Sequence, residues 1–284
     1  IATGTIYRLW RCGFPLLVLE VEHPMAIRRT VSVCDAIYEG QAKIEGMKCR
    51  RVSTLEEAEQ VRREGDVPIA VDPTGAFIKA WKPDVVVDAI LAKKNLGTNC
   101  QMASCTIALG PGFTAGVDVD YVVETMRGHN LGRIYESGTA IPNTGVPGMI
   151  GGYAAERVIH SPATGMMRNV HHIGDTVEAG EALAYIETAE GKQVPVPATI
   201  TGLLRGIIRN EFPVTTGLKI ADIDPRKSEY ANCLYGDAGN CSDLSGPVGA
   251  GWTRDCWRLY KTGYPEEPGN ENDFFRCEGI CGGT

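Results

Sequence analysis

The stretch IATGTIYRLWRCGFPLLVLE, from Ile1 to Glu20, decides the fold class of the first half of the chain. Residues 2–11 carry apolar side chains at helical spacing, and Gly13 follows where a left-handed helix cap favours glycine. Residues 16–19 are all apolar and end at Glu20, which is typical of a strand buried on both faces of a parallel sheet. Helix, glycine, strand and acid follow each other in this order in Rossmann-like domains.

The next hundred or so residues continue this pattern. Alternating residues at 42–52 around Glu45-Gly46 predict a hairpin, and residues 55–63 predict a helix capped by Ser53 or Thr54. Buried strands are predicted at residues 67–71, 85–87 and 106–109, and a further helix at residues 118–126. We therefore predict a Rossmann-like, mostly parallel α/β sheet domain over residues 1–137, followed by a Gly- and Pro-rich linker over residues 138–152.

After the linker the sequence repeats itself with a period of 37 residues. Gly165 and Gly180 bound the first copy, and Gly202 and Gly217 bound the second. Each copy continues into an alternating strand that ends in an acid, at Glu187 and at Asp224 respectively. One such unit cannot cover its own apolar face, so the two copies should pack together. This predicts a duplicated, all-β barrel-sandwich domain over residues 153–226, and residues 227–284 are expected to form an irregular tail.

Composition limits the range of partners. The 284 residues suit two domains, and the formal net charge of -7 with scattered Lys and Arg argues against binding to nucleic acid. No apolar run approaches the ~20 residues that span a bilayer, and no signal peptide opens the chain, so no membrane association and a cytoplasmic location are expected. Five of the ten cysteines lie in residues 1–105 within ordinary α/β sequence, which favours reduced thiols.

Two positions in the opening stretch are candidates for cofactor binding. A Rossmann fold places glycines in its first turn, where backbone approaches a pyrophosphate, and an acid after its second strand, where ribose hydroxyls bind. Gly4 and Glu20 occupy corresponding places, and the first strand with its earlier glycines is expected to precede Ile1. The alternative is that Gly4 is a packing glycine and Glu20 a solvated strand end.

Other candidates follow the later predicted strands. Asp88 ends one strand, and Gly110 and Gly112 follow the next, at the carboxyl edge where open α/β sheets bind ligands. Arg127 and His129 come after the predicted helix, and their side chains suit a phosphate or carboxylate. Together with the basic pairs 28–29 and 93–94, they indicate a small anionic ligand. The alternatives are cations that complement the end of the helix, and solvated surface pairs.

The sequence predicts no metal site. His171 and His172 are adjacent and would point to opposite faces of a strand, and Cys100 and Cys105 lack zinc-site spacing. The five cysteines of the tail leave a metal site open there, although their spacings are irregular.

Several stretches together resemble one family. They are residues 1–4 entering a helix, His23-Pro24 with residues 26–30, residues 84–88 with residues 91–97, residues 110–113, residues 124–129 and residues 142–145. From Ile1 to about Cys233 the chain resembles the YqeB family, regarded as accessory proteins of selenium-dependent molybdenum hydroxylases. The resemblance implies a maturation factor that partners the hydroxylase and handles its molybdenum cofactor or the selenium that it needs, and the Rossmann-like opening stretch keeps a dinucleotide open as the ligand. It identifies no catalytic residues. Beyond Cys233 the family pattern is lost, which predicts either a disordered tail or a slip of the reading frame.

The repeated part is similar to biotinyl and lipoyl carrier domains, in which one lysine at a hairpin tip carries the group. The nearest lysine here is Lys192, without the flanking residues of those carriers. Three functions therefore stay open: an accessory protein, an NAD(P)-dependent oxidoreductase that a complete glycine fingerprint would reveal, and a biotinyl- or lipoyl-type carrier.

Overall fold

The computed structural model of the chain describes residues 1–145 and 149–226. The predicted irregular tail and the centre of the predicted linker lie outside the described residues. The first part of the chain forms mixed α/β sheets with parallel strands, and the part after the linker forms antiparallel sheets. Among the described helices, none has the length and apolar character needed to cross a bilayer.

The first sheet has four strands in the order β1-β4-β3-β2, of which β1, β4 and β3 run parallel and β2 is antiparallel. Its strands are β1 (Val18–Glu20), β2 (Gln41–Ile44), β3 (Met47–Val52) and β4 (Val67–Val71), and its helices are α1 (Ala2–Arg11), α2 (Asp35–Glu39) and α3 (Leu55–Arg63), with a 3-10 turn at Arg29–Val31. The hairpin predicted between β2 and β3 is confirmed. Glu45 and Gly46 both have positive φ, 49° and 85°, as a two-residue turn of this kind requires.

The helices cover both faces of this sheet. Residues of α1 and α2 pack with one set of strand residues, including Val18 and Ile69. Residues of α3 pack on the opposite face with Leu19 and Ala70, and so does Phe77 of α4 (Ala76–Trp81). Adjacent strand residues therefore point to opposite faces, as expected for a sheet covered on both sides.

The predicted helix ends of α1 and α3 are confirmed. Gly13 follows α1 with φ of 80°, and the amides of Gly13 and Phe14 donate to the carbonyls of Trp10 and Leu9 in a Schellman motif. At the start of α3, Thr54 Oγ1 accepts a hydrogen bond from the Glu57 amide, and the Glu57 carboxylate accepts one from the Ser53 amide. This reciprocal arrangement satisfies two donors that the first turn leaves open.

The second sheet has the order β5-β6-β8-β9, with β5, β6 and β8 parallel and β9 antiparallel. A short antiparallel pair, β7 with β10, lies beside it. The strands are β5 (Val85–Asp88), β6 (Cys105–Leu109), β7 (Thr114–Ala115), β8 (Tyr121–Val123), β9 (Ile134–Tyr135) and β10 (Gly138–Thr139). The strands predicted at residues 67–71, 85–87 and 106–109 are thus confirmed.

The structure corrects two expectations for this half of the chain. The parallel strands lie in two four-stranded sheets rather than in one open sheet. The helix predicted at residues 118–126 is the strand β8, preceded by a tight turn. The Asp118 and Asp120 carboxylates accept hydrogen bonds from the amides of Thr114 and Thr106, so these acids fix the turn and the entry to the strand instead of starting a helix.

The repeated part forms two antiparallel four-stranded sheets that share one hydrophobic core. One sheet has the order β11-β18-β16-β13 and the other β15-β14-β12-β17. The strands are β11 (Val158–His160), β12 (Gly165–Asn169), β13 (Thr176–Val177), β14 (Ala182–Glu187), β15 (Gln193–Pro197), β16 (Gly202–Ile207), β17 (Pro213–Val214) and β18 (Lys219–Asp224), after a 3-10 turn at Ala155–Arg157. Each sheet takes its two central strands from one copy of the repeat and an edge strand from the other.

The repeat also explains its leading glycines. A Cβ atom on Gly165 would lie 2.2 Å from the Glu187 carbonyl oxygen, and one on Gly202 would lie 2.4 Å from the Asp224 carbonyl oxygen. The same close approach of two strands therefore occurs in both copies, and only glycine permits it.

The antiparallel part contacts the first sheet region directly. Arg29 Nε donates a hydrogen bond of 3.1 Å to the Ile207 carbonyl, and Gly206 packs against the backbone of Ile27. Arg209 forms an ion pair with Glu39 and lies over the ring of Tyr38. The outer face of the sheet that contains β16 and β18 is thus covered by the α/β part.

Candidate functional site

The carboxyl ends of the parallel strands carry most of the predicted site residues. Glu20 ends β1, Asp88 ends β5, and Gly110 follows β6 directly. Loops at this edge of an α/β sheet are the usual position for ligand binding. The two sheets present separate rims, which are described in turn.

On the first rim, Glu20 is a partly buried carboxylate. Its Oε2 accepts a hydrogen bond of 2.8 Å from the Val21 amide. Burial raises the pKa of the Glu20 carboxyl, and the hydrogen bond from Val21 offsets only part of that effect. The protein therefore holds an acid at the end of β1 in surroundings that favour its neutral form.

Asp72 lies beside Glu20 and was missed in the sequence. Its amide donates to the Glu20 carbonyl at 2.9 Å, immediately after β4. Its carboxylate accepts hydrogen bonds from the amide and hydroxyl of Thr74 and from the Phe77 amide, at 3.1, 3.0 and 2.7 Å. Burial, the largest single influence, raises its pKa, but the hydrogen bonds from Phe77, Ala76 and Thr74 together outweigh it and lower the pKa. The sequence did carry a signal for this residue. An acid that follows a buried strand and precedes Pro-Thr-Gly is typical of a turn whose side chain caps the next helix, here α4.

These two neighbouring carboxyl groups therefore have opposite properties. Glu20 has a raised pKa and one backbone donor, whereas the Asp72 oxygens are occupied by α4 and its preceding turn. Asp72 orients the chain at the rim, and Glu20 is the group of the two that has capacity to bind a ligand.

On the second rim, Asp88 and the two predicted glycines hold loops together. The Asp88 carboxylate is buried and accepts hydrogen bonds from the Ile90 amide at 3.0 Å and the Thr98 hydroxyl at 2.6 Å. Gly110 and Gly112 have φ of 81° and 110°. A Cβ atom on Gly110 would lie 2.6 Å from Thr125 Oγ1, and one on Gly112 would lie 2.6 Å from the Lys94 backbone. Both glycines therefore permit close packing of loops, and their contact with an anion stays a prediction.

Arg127 and His129 lie exposed in the segment between β8 and β9. The neighbouring Glu124 is buried, and its carboxylate accepts hydrogen bonds from the amides of Thr125, Met126 and Ile141, each at 2.8 Å. Glu124 therefore anchors the base of this segment. The alternative explanation of Arg127 and His129 as cations at a helix end is wrong, because no helix precedes them.

Of the remaining predicted residues, some make packing contacts and others lie exposed on the surface. Gly4 is buried in the first turn of α1, next to Thr3, whose Oγ1 accepts a hydrogen bond of 3.2 Å from the Val33 amide. Arg29 pairs with Asp35 at 3.7 Å besides its bond to Ile207, so it serves the contact between the two parts of the chain. The side chains of Lys93 and Lys94 are exposed.

The histidines and cysteines of the described residues do not converge. His171 lies within 3.1 Å of Glu181 and 3.4 Å of Asp175, whereas His172 is exposed. Within residues 1–145 and 149–226 no group of three or more His, Cys, Asp or Glu side chains is placed to hold a metal ion. The Cys34 and Cys49 thiols are buried, and burial raises their pKa to about 11 and about 12. The cysteines of the tail lie outside the described residues.

Comparison with known proteins finds a sequence relative of part of its length. The uncharacterized protein YqeB of Escherichia coli (strain K12) is 44% identical to the chain over 251 residues, which are 88% of this chain and 44% of the relative. The chain therefore spans less than half the length of this relative. No protein-family model matches the chain.

Similarity to solved structures is weak. An aspartoacylase family protein from Mesorhizobium loti shares 11% identity, with 73% of this chain and 83% of that chain covered and a TM-score of 0.26. The ectoine utilization protein EutE of Ruegeria pomeroyi shares 15% identity, with 73% and 52% covered and a TM-score of 0.23. Overlaps at this level support no conclusion about fold or activity.

Proposed function

From its homology to YqeB, we propose that the protein is an accessory factor in the maturation of a selenium-dependent molybdenum hydroxylase. We propose further that it binds a small anionic ligand, the molybdenum cofactor or a dinucleotide, at the carboxyl ends of its parallel strands. The observation that carries the proposal is the 44% identity over 88% of the chain. The stretches that resemble the accessory family lie within residues 1–145, where both parallel sheets occur.

The first rim supports the ligand part of the proposal. Glu20 ends β1, and its carboxyl is partly buried with a raised pKa. In Rossmann-like sheets an acid at a strand end accepts hydrogen bonds from ribose hydroxyls. Asp72 holds the adjacent turn in place through Thr74 and Phe77. The turn beside Glu20 is therefore held in place, and the Glu20 carboxyl can accept further hydrogen bonds.

The exposed pair Arg127 and His129 supports the anionic character of the ligand. Both side chains project from a segment whose base Glu124 fixes through three backbone amides. A guanidinium group can donate two parallel hydrogen bonds to a phosphate, and an arginine on an ordered backbone segment binds a phosphate more specifically than a lysine on a flexible one. We propose that these two side chains contact the phosphate of the ligand.

The accessory role is tested in a host that lacks the gene. Return of the full gene product should restore the activity of the hydroxylase together with its molybdenum and selenium content. Glu20→Gln should restore less than a tenth of that activity, and Glu22→Gln, an exposed acid two residues away, should restore it fully. Normal molybdenum and selenium content of the hydroxylase in the deletion host would refute the proposal.

The ligand is tested by binding measurements with the purified protein. Molybdopterin, NAD and NADP are titrated separately, and Arg127→Ala should weaken binding of the ligand about tenfold, as expected for loss of a charged hydrogen bond. Arg63→Ala is the matched control, because Arg63 is an exposed arginine at the end of α3, away from the strand ends. Turnover of NAD or NADP with a reducing substrate would favour the oxidoreductase instead.

A carrier is the second candidate, because of the position of Lys192. We propose that the two antiparallel sheets are a sandwich of the biotinyl and lipoyl type. Lys192 is exposed in the turn between β14 and β15, where the Thr188 amide donates to the Lys192 carbonyl at 2.9 Å. Mass spectrometry of protein from its native host decides the matter. A lipoyl or biotinyl adduct that Lys192→Arg abolishes would establish the carrier, and an unmodified Lys192 would exclude it.

A further inference from the structure

The loop between β5 and β6 exposes two large apolar side chains. Ile90 is 64% exposed and Leu96 is 57% exposed. Their neighbours Ala89 and Leu91 pack instead against the buried residues of β6 and β8. Single exposed apolar residues are common on protein surfaces, so the arrangement of these two decides whether they form a patch.

The two ends of this loop are held on one carboxylate. The buried Asp88 side chain accepts hydrogen bonds from the Ile90 amide at 3.0 Å and from the Thr98 hydroxyl at 2.6 Å. Asn95 Nδ2 donates to the Thr98 carbonyl at 2.8 Å, which closes the turn that contains Leu96. The hydrogen bonds therefore bring the backbone at Ile90 close to the turn that carries Leu96, and the two apolar side chains lie on one ordered surface.

The backbone of the loop is strained at two residues. Leu91 and Lys93 have φ of 58° and 61°, in the left-handed region that residues other than glycine seldom adopt. The second rim holds this conformation in place. The Leu91 side chain lies 3.3 Å from where a Cβ atom on Gly110 would be, and the Lys94 backbone packs against Gly112. Strained backbone that is held by its surroundings is concentrated at functional sites.

The same loop carries a local excess of positive charge. Lys93 and Lys94 are exposed, and they lie between the two apolar residues in the sequence. No Asp or Glu occurs from residue 89 to residue 117. Asp88, at the base of the loop, is occupied by its hydrogen bonds to the loop itself. Since the formal net charge of the chain is -7, this loop is opposite in sign to the molecule as a whole.

We propose that the exposed side chains of this loop form a docking surface for an acidic segment of a partner protein, and that this segment carries large apolar side chains. The surface, called the 90–96 surface, comprises Ile90, Lys93, Lys94 and Leu96. Burial of the apolar side chains would supply affinity, and complementary charge would supply orientation and a fast association rate. Because the loop is already ordered, little conformational entropy would be lost when the partner binds.

An anionic lipid surface also attracts cations and apolar side chains, but the 90–96 surface fits a protein better. Attachment to anionic lipids through charge uses clusters of about four to eight Lys or Arg side chains. The 90–96 surface has only Lys93 and Lys94. The net negative charge of the chain also opposes its approach to a negatively charged membrane.

The position of the surface links it to the proposed function, and the identity of the partner rests on that function. Gly110 packs against both Leu91 of this loop and Thr125 of the segment between β8 and β9. That segment carries Arg127, for which we propose contact with the phosphate of the ligand. A factor that supplies a ligand to a hydroxylase must bring its ligand site next to the recipient. Under the proposed function, the partner is therefore the hydroxylase, docked beside the ligand.

Peptide selection tests the chemistry of the partner independently of the hydroxylase. The probe is a phage library of random short peptides, selected on the immobilised full chain. Enriched peptides should have a net negative charge and contain large apolar residues. A synthetic copy of the most enriched peptide should bind at least about tenfold more weakly to the charge variant, Lys93→Glu/Lys94→Glu. It should also bind at least about tenfold more weakly to the apolar variant, Ile90→Ser/Leu96→Ser.

The matched control is Lys79→Glu/Lys82→Glu. It makes the same change in charge at two exposed lysines that precede β5, whereas the 90–96 surface follows the carboxyl end of that strand. The control should bind the peptide as the natural protein does. Higher salt should weaken binding to the natural protein and to the apolar variant, because salt screens the attraction between the lysines and the acidic peptide.

A second experiment tests the hydroxylase as the partner. Carbodiimide treatment of a mixture of the two proteins should link Lys93 or Lys94 to acidic residues of the hydroxylase through amide bonds, and should link neither Lys79 nor Lys82. In the host that lacks the gene, the charge variant should restore less than about a tenth of the hydroxylase activity, and the control should restore it fully.

Several outcomes would overturn the docking surface. They are no enrichment of peptides, enrichment of peptides without acidic residues, and equal binding of the peptide to the natural protein and the charge variant. Binding to vesicles of phosphatidylserine and phosphatidylcholine that the charge variant abolishes would assign the surface to a membrane. A dimer of the natural chain that the charge variant abolishes would assign it to a second copy. Weaker binding of molybdopterin or NAD by the charge variant would assign the lysines to the ligand.

Failure of the docking surface and failure of the accessory role give different results. Full restoration of the hydroxylase by the charge variant would refute docking of the hydroxylase on the 90–96 surface and would leave the accessory role intact. A normal hydroxylase in the deletion host would refute the accessory role, and the peptide selection would still decide whether the surface binds an acidic segment.

Discussion

Replacement of Gly112 by alanine tests whether the second rim is packed with protein backbone. Gly112 has φ of 110°, and an added Cβ atom would lie 2.6 Å from both the amide nitrogen and the Cα of Lys94. Gly97 is the matched control, because its φ is 128° and an added Cβ would meet no atom within 4 Å. Both variants place an alanine in backbone space that favours glycine, and only Gly112→Ala adds a steric overlap.

The expected magnitudes follow from these two contributions. The unfavourable backbone conformation costs about 1–2 kcal/mol in either variant. Overlap with backbone that cannot rotate away adds about 1–3 kcal/mol for Gly112→Ala. With a urea m-value of about 2 kcal/mol/M, the difference corresponds to a midpoint about 0.5–1.5 M lower than that of Gly97→Ala.

Circular dichroism at 222 nm is the appropriate signal. The described α-helices all lie between Ala2 and Trp81, so this signal reports unfolding of the α/β part. Equal midpoints for the two variants would refute the packing of the 110–113 loop on residues 93–94 and would leave the rim open to an anion. Equal midpoints together with weaker ligand binding by Gly112→Ala would support direct contact of the glycine loop with the ligand.

Three further predictions concern charged groups, each measured by urea unfolding. Arg205→Met should cost about 2 kcal/mol, because it removes one of the two arginines beside each of the buried Asp222 and Asp224, which keep Arg157 and Arg226 respectively. Arg168→Met, at the equivalent position of the other repeat, should cost less than about 1 kcal/mol because its pairs with Glu187 and Glu211 are exposed; equal costs would contradict the burial argument. Asp72→Asn should lower the free energy of unfolding by about 1–2 kcal/mol at pH 7. Since the pKa of Asp72 is lowered in the fold, the difference in stability between the variant and the natural protein should disappear as pH falls below 3.8. A difference that persists at pH 2 would rule out this linkage. Glu20→Gln should raise the free energy of unfolding at pH 7 and change it little below pH 4.5. The reason is that the raised pKa of Glu20 means that the folded state disfavours the ionised carboxylate relative to the unfolded state. A loss of stability at pH 7 would show that the carboxylate is structurally required.

The Glu20 prediction also bears on the functional experiment. A variant that is more stable than the natural protein and yet fails to restore the hydroxylase would separate function from folding. Retention of a partly buried acid at a cost in stability is typical of a functional position.

Some elements could be predicted from the sequence because their signals are local. The Schellman motif after α1, the Thr54 cap of α3 and the Glu45-Gly46 turn each involve residues within about six positions of one another. The duplicated strands could be predicted in the same way, since the two copies of the repeat have the same spacing of glycines and apolar residues. Asp72 could have been found in the same way, and Asp118 and Asp120 misled because acids also begin helices.

The sites could not be predicted to the same extent because their contacts are distant in sequence. Gly112 meets Lys94, and Glu124 binds the Ile141 amide. A glycine after a strand and an acid after a strand give the same sequence pattern whether they contact a ligand or another loop.

The sequence by itself therefore determined the helices at residues 2–11 and 55–63, the strands at residues 67–71, 85–87 and 106–109 and the repeated strands of residues 165–224, because periodicity and capping act over a few residues. Only the tertiary structure decided what surrounds them. Arg168 and Arg205 occupy identical places in the repeat, yet one is exposed and the other buried. The reason is that the α/β part, through Ile27 and Arg29, covers one copy and not the other, and no local pattern records which face a distant segment will cover.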